Sequence, residues 1–194
     1  MKKIILASKS PRRQELIKTL GLTYEIIPSE YNENLKGKRF TYELIEEVSK
    51  NKALDVANKV QEDAIVIGAD TVVVLGDEIL LKPKDEQDAM NELKKLSGKT
   101  HKVVTSITVI DVISKQIVTN STTSYVTFNQ LTDEQILNYV KTKKPLDKAG
   151  AYGIQELDEK FIKSLNGSKN NVIGLSPTSL KNALTKLDKT LSLY

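Results

Sequence analysis

Apolar residues form two patterns along this chain, continuous runs and residues at helical spacing, and together these patterns predict a protein of the α/β class. The predicted strands share continuous runs of apolar or β-branched residues and cover 4–7, 24–28, 64–75, 102–113 and 116–128. The predicted helices share apolar residues three or four positions apart, and they begin near residues 11, 42, 85 or 88, 133 and 177. Strands and helices thus alternate over much of the chain, which favours a sheet flanked by helices.

Turn residues divide these elements. Gly76-Asp77 predicts a hairpin that returns along residues 78–81, and Asn166-Gly167 predicts a strand pair formed by 161–165 and 171–175. The small and polar residues of 147–155 are typical of a binding loop rather than of a core. We find no repeat, low-complexity tract or linker, so we expect one domain over residues 1–194.

Composition excludes several kinds of site. The chain has no cysteine and one histidine, His101, which excludes thiolate and polyhistidine metal sites and disfavours histidine-based triads. The net charge of +4 comes from lysines interleaved with acids, so we expect no nucleic-acid partner. Neither a signal peptide nor a membrane-length apolar run is apparent, and we expect a cytoplasmic protein that binds no membrane.

The stretch Ser8-Lys9-Ser10-Pro11-Arg12-Arg13 joins the first strand to the first helix. Ser10 is suited to the N-cap position and Pro11 to the first helical turn, where a missing N–H costs little. A helix N-terminus attracts anions, and two adjacent guanidiniums strengthen that attraction. An anion site and a capped helix with solvated arginines remain equally open on these residues alone.

Two further positions carry charge where apolar residues are expected. Lys52 lies on the apolar stripe of the second helix, so it must reach the edge of the stripe or meet an anion. Asp70 interrupts the most apolar run of the chain; it is either half of a buried ion pair or a metal-binding or catalytic carboxylate. Gly68, just before it, favours the functional interpretation by leaving room for a ligand. A two-residue turn would pair Lys82 with Thr71, whereas a longer loop would bring Lys82 to the face of Asp70.

Taken together, these motifs resemble the Maf nucleotide pyrophosphatases along the whole chain. The matching segments are 5–13, Glu33, Lys52-Ala53, 67–73, Lys82-Pro83, 96–101, 147–155 and 172–175. The resemblance implies an elongated, inosine-triphosphatase-like fold, with two lobes of a mixed sheet around a central cleft. The form of 147–155 is similar to the branch that acts on dTTP and UTP. Glu156 and Ser176 depart from the family pattern, the first beside the expected base pocket.

The resemblance also implies roles for individual residues and a homodimer. Catalysis would involve Asp70, Lys52, Lys82 and Glu33, with Asp70 as the general base that activates water. Asp70 and Glu33 are oxygen donors suited to Mg²⁺ or Mn²⁺. The nucleoside triphosphate substrate would contact Ser8, Ser10, Arg12, Arg13, Thr71 and Gln155. Arg12, Thr71 and Gln155 are the positions for base selectivity, and Arg13 is mainly a phosphate ligand.

Two other classes of function compete with hydrolysis. The first is a regulatory protein of cell division and septum formation that acts by binding, which the family resemblance suggests. The second is a nucleic-acid binder, suggested by a pI near 9.0 and the arginine pair. Nucleic-acid binding needs no carboxylates and weakens steeply with salt, so pyrophosphate release at physiological salt separates the three.

Overall fold

The computed structural model describes residues 2–142 and 144–188, and a mixed sheet forms the centre of this part of the chain. Its seven strands are β1 (Lys3–Leu6), β2 (Tyr24–Ile26), β3 (Ala64–Leu75), β4 (Glu78–Leu80), β5 (Thr100–Asp111), β6 (Ile117–Phe128) and β7 (Ile162–Asn166). The strand order is β2-β1-β3-β5-β6-β7, and β4 pairs with the far end of β3. β1 is parallel to β2 and β3, whereas the other pairs are antiparallel.

Helices flank this sheet on both faces. Within the described residues they are α1 (Pro11–Lys18), α2 (Tyr42–Ala57), α3 (Glu86–Leu96), α4 (Asp133–Val140), α5 (Lys169–Ile173) and α6 (Pro177–Leu187). The predicted α/β class with a mixed sheet is therefore confirmed. Across residues 2–142 and 144–188, no helix is both long enough and apolar enough to cross a membrane.

The core follows from the alternation of side chains along the central strands. Ile4 and Leu6 of β1 pack on one face, beneath α1 and α6. Ile5 of β1 and Val66 of β3 point to the opposite face, where Val56 of α2 covers them. Because both faces are covered, β3 is apolar along nearly all of its length.

The hairpin after β3 resolves the register of Lys82. Val73 pairs with Leu80 and Leu75 with Glu78, so residues 76 and 77 form a two-residue turn. Extending that register sets Lys82 opposite Thr71, although β4 itself ends at Leu80. Lys82 is exposed and lies just beyond the strand.

The predicted strand at 171–175 is wrong, because the chain forms α5 there. The Ser168 hydroxyl accepts a hydrogen bond from the Asn171 N–H and caps this helix. The buried Asn171 carboxamide donates to the Val103 carbonyl and to the Ser124 hydroxyl, 3.0 Å each, which ties the helix to β5 and β6. The neighbouring strand was predicted within one residue of β7, but β7 pairs with β6 instead.

The segment 147–155 is also less loop-like than its composition predicts. It begins at the end of one 3₁₀ turn, Lys144–Asp147, and contains a second, Ala149–Ala151; Ala151, Tyr152 and Ile154 are buried in the core around Phe128. Gly150 has φ +67°, and a Cβ there would lie 2.8 Å from the side chain of Val73, so this position needs glycine on both counts. Only part of the segment faces solvent, and that part includes Gln155.

Candidate active site

A cavity of about 420 Å³ lies where the β1–α1 turn, α2, β3 and the segments around 147–155 and 172–174 meet. It brings together nine of the ten predicted site residues: Ser10, Arg12, Arg13, Glu33, Lys52, Asp70, Thr71, Lys82 and Gln155. Ser8 is the tenth and does not line the cavity. The cavity is also lined by residues that were not predicted as site residues, among them Lys36, Asp147, Lys148, Tyr152 and Gly174.

Lys52 holds two carboxylates together at one side of the cavity. Its Nζ lies 2.7 Å from Asp70 Oδ1 and 2.8 Å from Glu33 Oε1. The Asp70 side chain is 6% exposed and the Glu33 side chain 40%, so the pair reaches from the interior to the cavity mouth. Of the two outcomes open for a lysine on this helical stripe, the structure has the ion pair.

The pKa values of Asp70 and Glu33 shift in opposite directions, although burial favours the neutral form of both. Burial raises the pKa of Asp70 to about 6; the neighbouring Glu33 adds to the rise, while Lys52 and Arg13 oppose it. For Glu33, burial also favours the neutral form, but the charge and hydrogen bond of Lys52 outweigh it and lower the pKa. Asp70 is thus a carboxylate that can accept a proton near neutral pH.

Gly68 explains why Lys52 reaches Asp70, and its role differs from the predicted one. A Cβ at Gly68 would lie 2.5 Å from the Ser49 carbonyl oxygen and 2.7 Å from the Ala53 nitrogen, both backbone atoms of α2. The space beside this glycine is therefore filled by a helix and not by a ligand. The close approach of α2 to β3 brings Lys52 within hydrogen-bond distance of Asp70.

Arg13 is fixed by hydrogen bonds from each of its three guanidinium nitrogens. Nε donates to the Gly174 carbonyl at 2.9 Å, Nη1 to Ser8 Oγ at 3.2 Å and Nη2 to Thr71 Oγ1 at 3.1 Å. Ser8 Oγ also accepts from the Ser10 N–H, and so Ser8 supports the β1–α1 turn. Ser10 is the N-cap residue, as predicted, without a side-chain capping bond.

Thr71 belongs to a chain of hydroxyls that joins the cavity to the core. Its Oγ1 lies 2.9 Å from Thr105 Oγ1, and Thr105 donates in turn to the Asn171 carbonyl. The α5 segment thus supports both Arg13 and Thr71. Our sequence analysis missed this because it treated 171–175 as a strand, although Ser168, three residues before Asn171, matches an N-cap pattern.

A second ion-pair group also lines the cavity. Arg12 Nη1 is 3.1 Å from Asp147 Oδ2, and Asp147 Oδ1 is 2.6 Å from Lys148 Nζ. Lys148 also pairs with Glu156 at 3.2 Å, the residue that departs from the family pattern. Lys82 forms no ion pair with any described residue, so this exposed cation is available to a ligand.

The carboxylates also fit a divalent cation. Asp70 Oδ2 is buried and has no hydrogen-bond partner in the described structure, and Glu33 is the second acid beside it. The described residues contain no cluster of three or more acidic, histidine or cysteine ligands. Two carboxylates suit Mg²⁺ or Mn²⁺, which retain waters and bind substrate phosphates.

Comparison with known proteins identifies the family of this chain. The family model described as Maf-like protein matches residues 3–187. The chain belongs to the Maf-like family. Among Maf-like relatives, the dTTP/UTP pyrophosphatase of Clostridium botulinum (strain Eklund 17B / Type B) is 44% identical over 183 residues, covering 94% of this chain and 97% of that protein.

Two further relatives and one solved structure match over similar lengths. The dTTP/UTP pyrophosphatase of Ruminiclostridium cellulolyticum is 44% identical over 98% of this chain and 99% of that protein. The one from Clostridium novyi (strain NT) is 47% identical over 89% and 91%. A solved structure, the nucleoside-triphosphatase / dITP/XTP pyrophosphatase of Mycobacterium abscessus, has a TM-score of 0.48 at 12% identity, covering 96% of this chain and 94% of that one.

Proposed function

We propose that this Maf-like protein hydrolyses dTTP and UTP to the nucleoside monophosphate and pyrophosphate. The observation that carries the proposal is the cavity itself, where Arg12, Arg13 and Lys82 lie with the Lys52-held carboxylates Asp70 and Glu33. Cleavage between the α and β phosphates needs cations for the triphosphate and a base for the attacking water, and the cavity contains both. The relatives named dTTP/UTP pyrophosphatase support the choice of substrate.

Arg13 binds the triphosphate as a preorganised cation. Three hydrogen bonds fix its guanidinium before the substrate arrives, so binding loses little side-chain entropy at this position. Lys82, exposed and without an ion-pair partner among the described residues, is a second phosphate ligand at the cavity mouth. Ser8 acts indirectly, by holding Arg13 and the turn that contains it.

Asp70 takes the proton of the attacking water. A pKa of about 6 leaves it mostly ionised at pH 7 to 8 while keeping it basic enough to accept a proton. Lys52 orients this carboxylate through Oδ1, and Oδ2, which is buried and has no described hydrogen-bond partner, is the oxygen left to accept the proton. After proton transfer, the pair of Lys52 with Glu33 keeps the ammonium in place.

Asp70 and Glu33 would hold a divalent cation, Mg²⁺ or Mn²⁺. When bound, the cation would neutralise charge on the phosphates and lower the pKa of a bound water. Arg12, Thr71 and Gln155 recognise the pyrimidine, since the Gln155 amide can both donate to and accept from a base edge. An enzyme of this kind would act on the nucleotide pool of the cytoplasm.

A nucleotide panel tests the proposal. The purified protein is incubated with the common ribo- and deoxyribonucleoside triphosphates, with and without Mg²⁺ or Mn²⁺, and pyrophosphate and orthophosphate are measured separately. We expect pyrophosphate and monophosphate as products, with the largest kcat/KM for dTTP and UTP. We expect no turnover when a chelator is added. Diphosphate with orthophosphate would contradict the assigned bond, and no turnover of any nucleotide would favour the regulatory function.

A further inference from the structure

Thr105 lies opposite Thr71 in the sheet but does not line the cavity. The two threonines are a direct pair between β3 and β5, and their hydroxyl oxygens are 2.9 Å apart. Thr71 is half-buried at the cavity wall, whereas Thr105 is fully buried behind it. Thr105 therefore acts on a ligand only through the hydroxyl of Thr71.

The direction of the hydrogen bond between these two hydroxyls follows from the protons available. A threonine hydroxyl has one proton to donate. Thr105 Oγ1 lies 2.9 Å from the backbone carbonyl oxygen of Asn171, which can only accept, so the Thr105 proton is used there. In the 2.9 Å bond between the threonines, Thr71 is therefore the donor and Thr105 the acceptor.

The Asn171 carbonyl that takes the Thr105 proton is itself held in place. The buried Asn171 carboxamide donates to the Val103 carbonyl and to the Ser124 hydroxyl, and the Gly174 N–H donates to the Asn171 carbonyl at 3.1 Å. An acceptor fixed in this way keeps the proton of Thr105 directed away from Thr71. The network thus sets the orientation of both hydroxyls before any ligand binds.

Toward the cavity, Thr71 offers only an acceptor. Its oxygen has two lone pairs, and one of them accepts from Arg13 Nη2 at 3.1 Å. The Gly174 carbonyl, 3.3 Å away, is a second target for the Thr71 proton, but it already accepts from Arg13 Nε at 2.9 Å. Both targets hold the proton within the protein, and the shorter bond favours Thr105. One lone pair of Thr71 is left for a ligand, and no donor.

An oxygen that can only accept selects a donor on the nucleotide. Phosphate oxygens are acceptors too, so they form no hydrogen bond with this lone pair. The imide N3–H of uracil and thymine is a donor, whereas N3 of cytosine is an acceptor. The sugar 3′ hydroxyl is also a donor, but UTP and CTP share it. Cytosine in the place of uracil would therefore leave two acceptors facing each other, which costs binding free energy.

We propose that Thr105 is a positioning residue for base selection, because it holds the Thr71 hydroxyl as an acceptor for the N3–H of uracil and thymine. The inference rests on the proposed function, in which Thr71 contacts the pyrimidine. A hydroxyl without such a partner rotates and can donate to N3 of cytosine instead. The Gln155 amide both donates and accepts, so it does not by itself exclude cytosine. Selection against cytosine comes from the fixed hydroxyl.

Thr105→Val tests the proposal, because valine has nearly the shape of threonine and no hydroxyl. The Thr71 proton then loses its shorter bond, and the hydroxyl is able to turn toward the ligand. We expect the ratio of kcat/KM for UTP to that for CTP to fall by about fivefold or more. Thr105→Ser retains the hydroxyl and should keep a ratio close to the native one.

Thr108→Val is the matched control. Thr108 is another fully buried threonine of β5, but its hydroxyl contacts Ser49 and Thr119. Its loss should leave the UTP-to-CTP ratio at the native value. Thr71→Val, at the half-buried partner, should lower the ratio as well, and adding Thr105→Val to it should change the ratio no further. An equal fall in Thr108→Val and Thr105→Val would overturn the proposal.

Binding of non-hydrolysable analogues separates this inference from the proposed function. The α,β-methylene analogues of UTP and CTP are titrated calorimetrically into the native protein and Thr105→Val, with Mg²⁺ present. A native preference for the UTP analogue that is lost in Thr105→Val supports the inference, whether or not any nucleotide is hydrolysed. Native hydrolysis of UTP with an unchanged ratio in Thr105→Val would overturn the inference and leave the proposed function intact. Equal native affinity for the two analogues would also overturn it.

Discussion

Gly68 provides a direct test of the link between packing and chemistry, through the variant Gly68→Ala. The added Cβ would lie 2.5 Å from the Ser49 carbonyl oxygen and 2.7 Å from the Ala53 nitrogen. Both are backbone atoms inside α2, so no side-chain rotation relieves the contact. The helix as a whole must move away from β3.

The size of that movement sets the expected effect. Opening the shorter contact from 2.5 Å to the 3.0 Å below which real Cβ contacts essentially never occur requires about 0.5 Å. Overpacking of a well-packed core costs about 1–3 kcal/mol. The same movement stretches the 2.7 Å bond between Lys52 Nζ and Asp70 Oδ1. Because small misplacements of catalytic groups are costly, we expect kcat/KM to fall by about 10- to 100-fold.

Urea unfolding and steady-state kinetics of the folded variant measure the two effects separately. Gly21→Ala is the control: Gly21 has φ +66° and no atom within 4 Å of its Cβ position. The Gly21→Ala variant should lose about 1 kcal/mol of unfolding free energy through backbone strain alone and keep its kcat/KM. Native kinetics in Gly68→Ala, with stability changed by less than about 0.5 kcal/mol, would refute the reasoning.

Other variants test individual groups of the site and core. Asp70→Asn should abolish hydrolysis and change the free energy of unfolding at pH 8 by less than about 1 kcal/mol. The reason is that the variant removes a buried charge while Lys52 keeps its ion pair with Glu33. A large loss of stability with native kinetics would contradict this. Gln155→Ala should lower kcat/KM selectively for dTTP and UTP, because the loss of one amide hydrogen bond costs about 1 kcal/mol. Arg13→Ala should lower kcat/KM for all nucleoside triphosphates alike. Equal losses over all bases in Gln155→Ala would refute base recognition by this amide. Burial lowers the pKa of His101 to about 4, against about 6.5 in the unfolded chain, so its contribution to stability is complete above pH 6.5 and is lost as the pH falls through 4. Unfolding of His101→Gln should therefore depend less on pH, by about 3 kcal/mol between pH 7.5 and 3.5; an unchanged pH dependence would contradict the assignment.

The sequence determined the elements whose signals are local. The apolar run that became β3 was predicted to the residue, because a strand covered on both faces must be apolar along its length. Thr41, Thr132 and Ser176 match the N-cap pattern in the sequence, and each accepts a hydrogen bond from the first turn of its helix. A cap depends on atoms three residues apart, so the chain around it contains all the necessary information.

The sequence also predicted residues that the fold brings together, since nine of the ten predicted site residues line one cavity. Their motifs were recognised as a set, in the order the family has them. Their geometry was not readable. Three features of that geometry depend on segments that are distant in sequence. They are the contact of Lys52 with an anion, the register of Lys82, and the position of Ser8, which supports Arg13 and does not line the cavity.

Only the tertiary structure decided the elements whose partners are far away in sequence. Residues 169–173 have weak preferences of their own, and the Asn171 side chain fixes them as a helix by bonding Val103 and Ser124, 68 and 47 residues away. A glycine at position 68 is compatible with the close approach of either a ligand or a helix. The contact with Ser49 and Ala53 shows that the neighbour is the helix. In both cases the deciding free energy comes from packing and hydrogen bonds that exist only once the sheet has formed, and a sequence pattern of short period does not contain it.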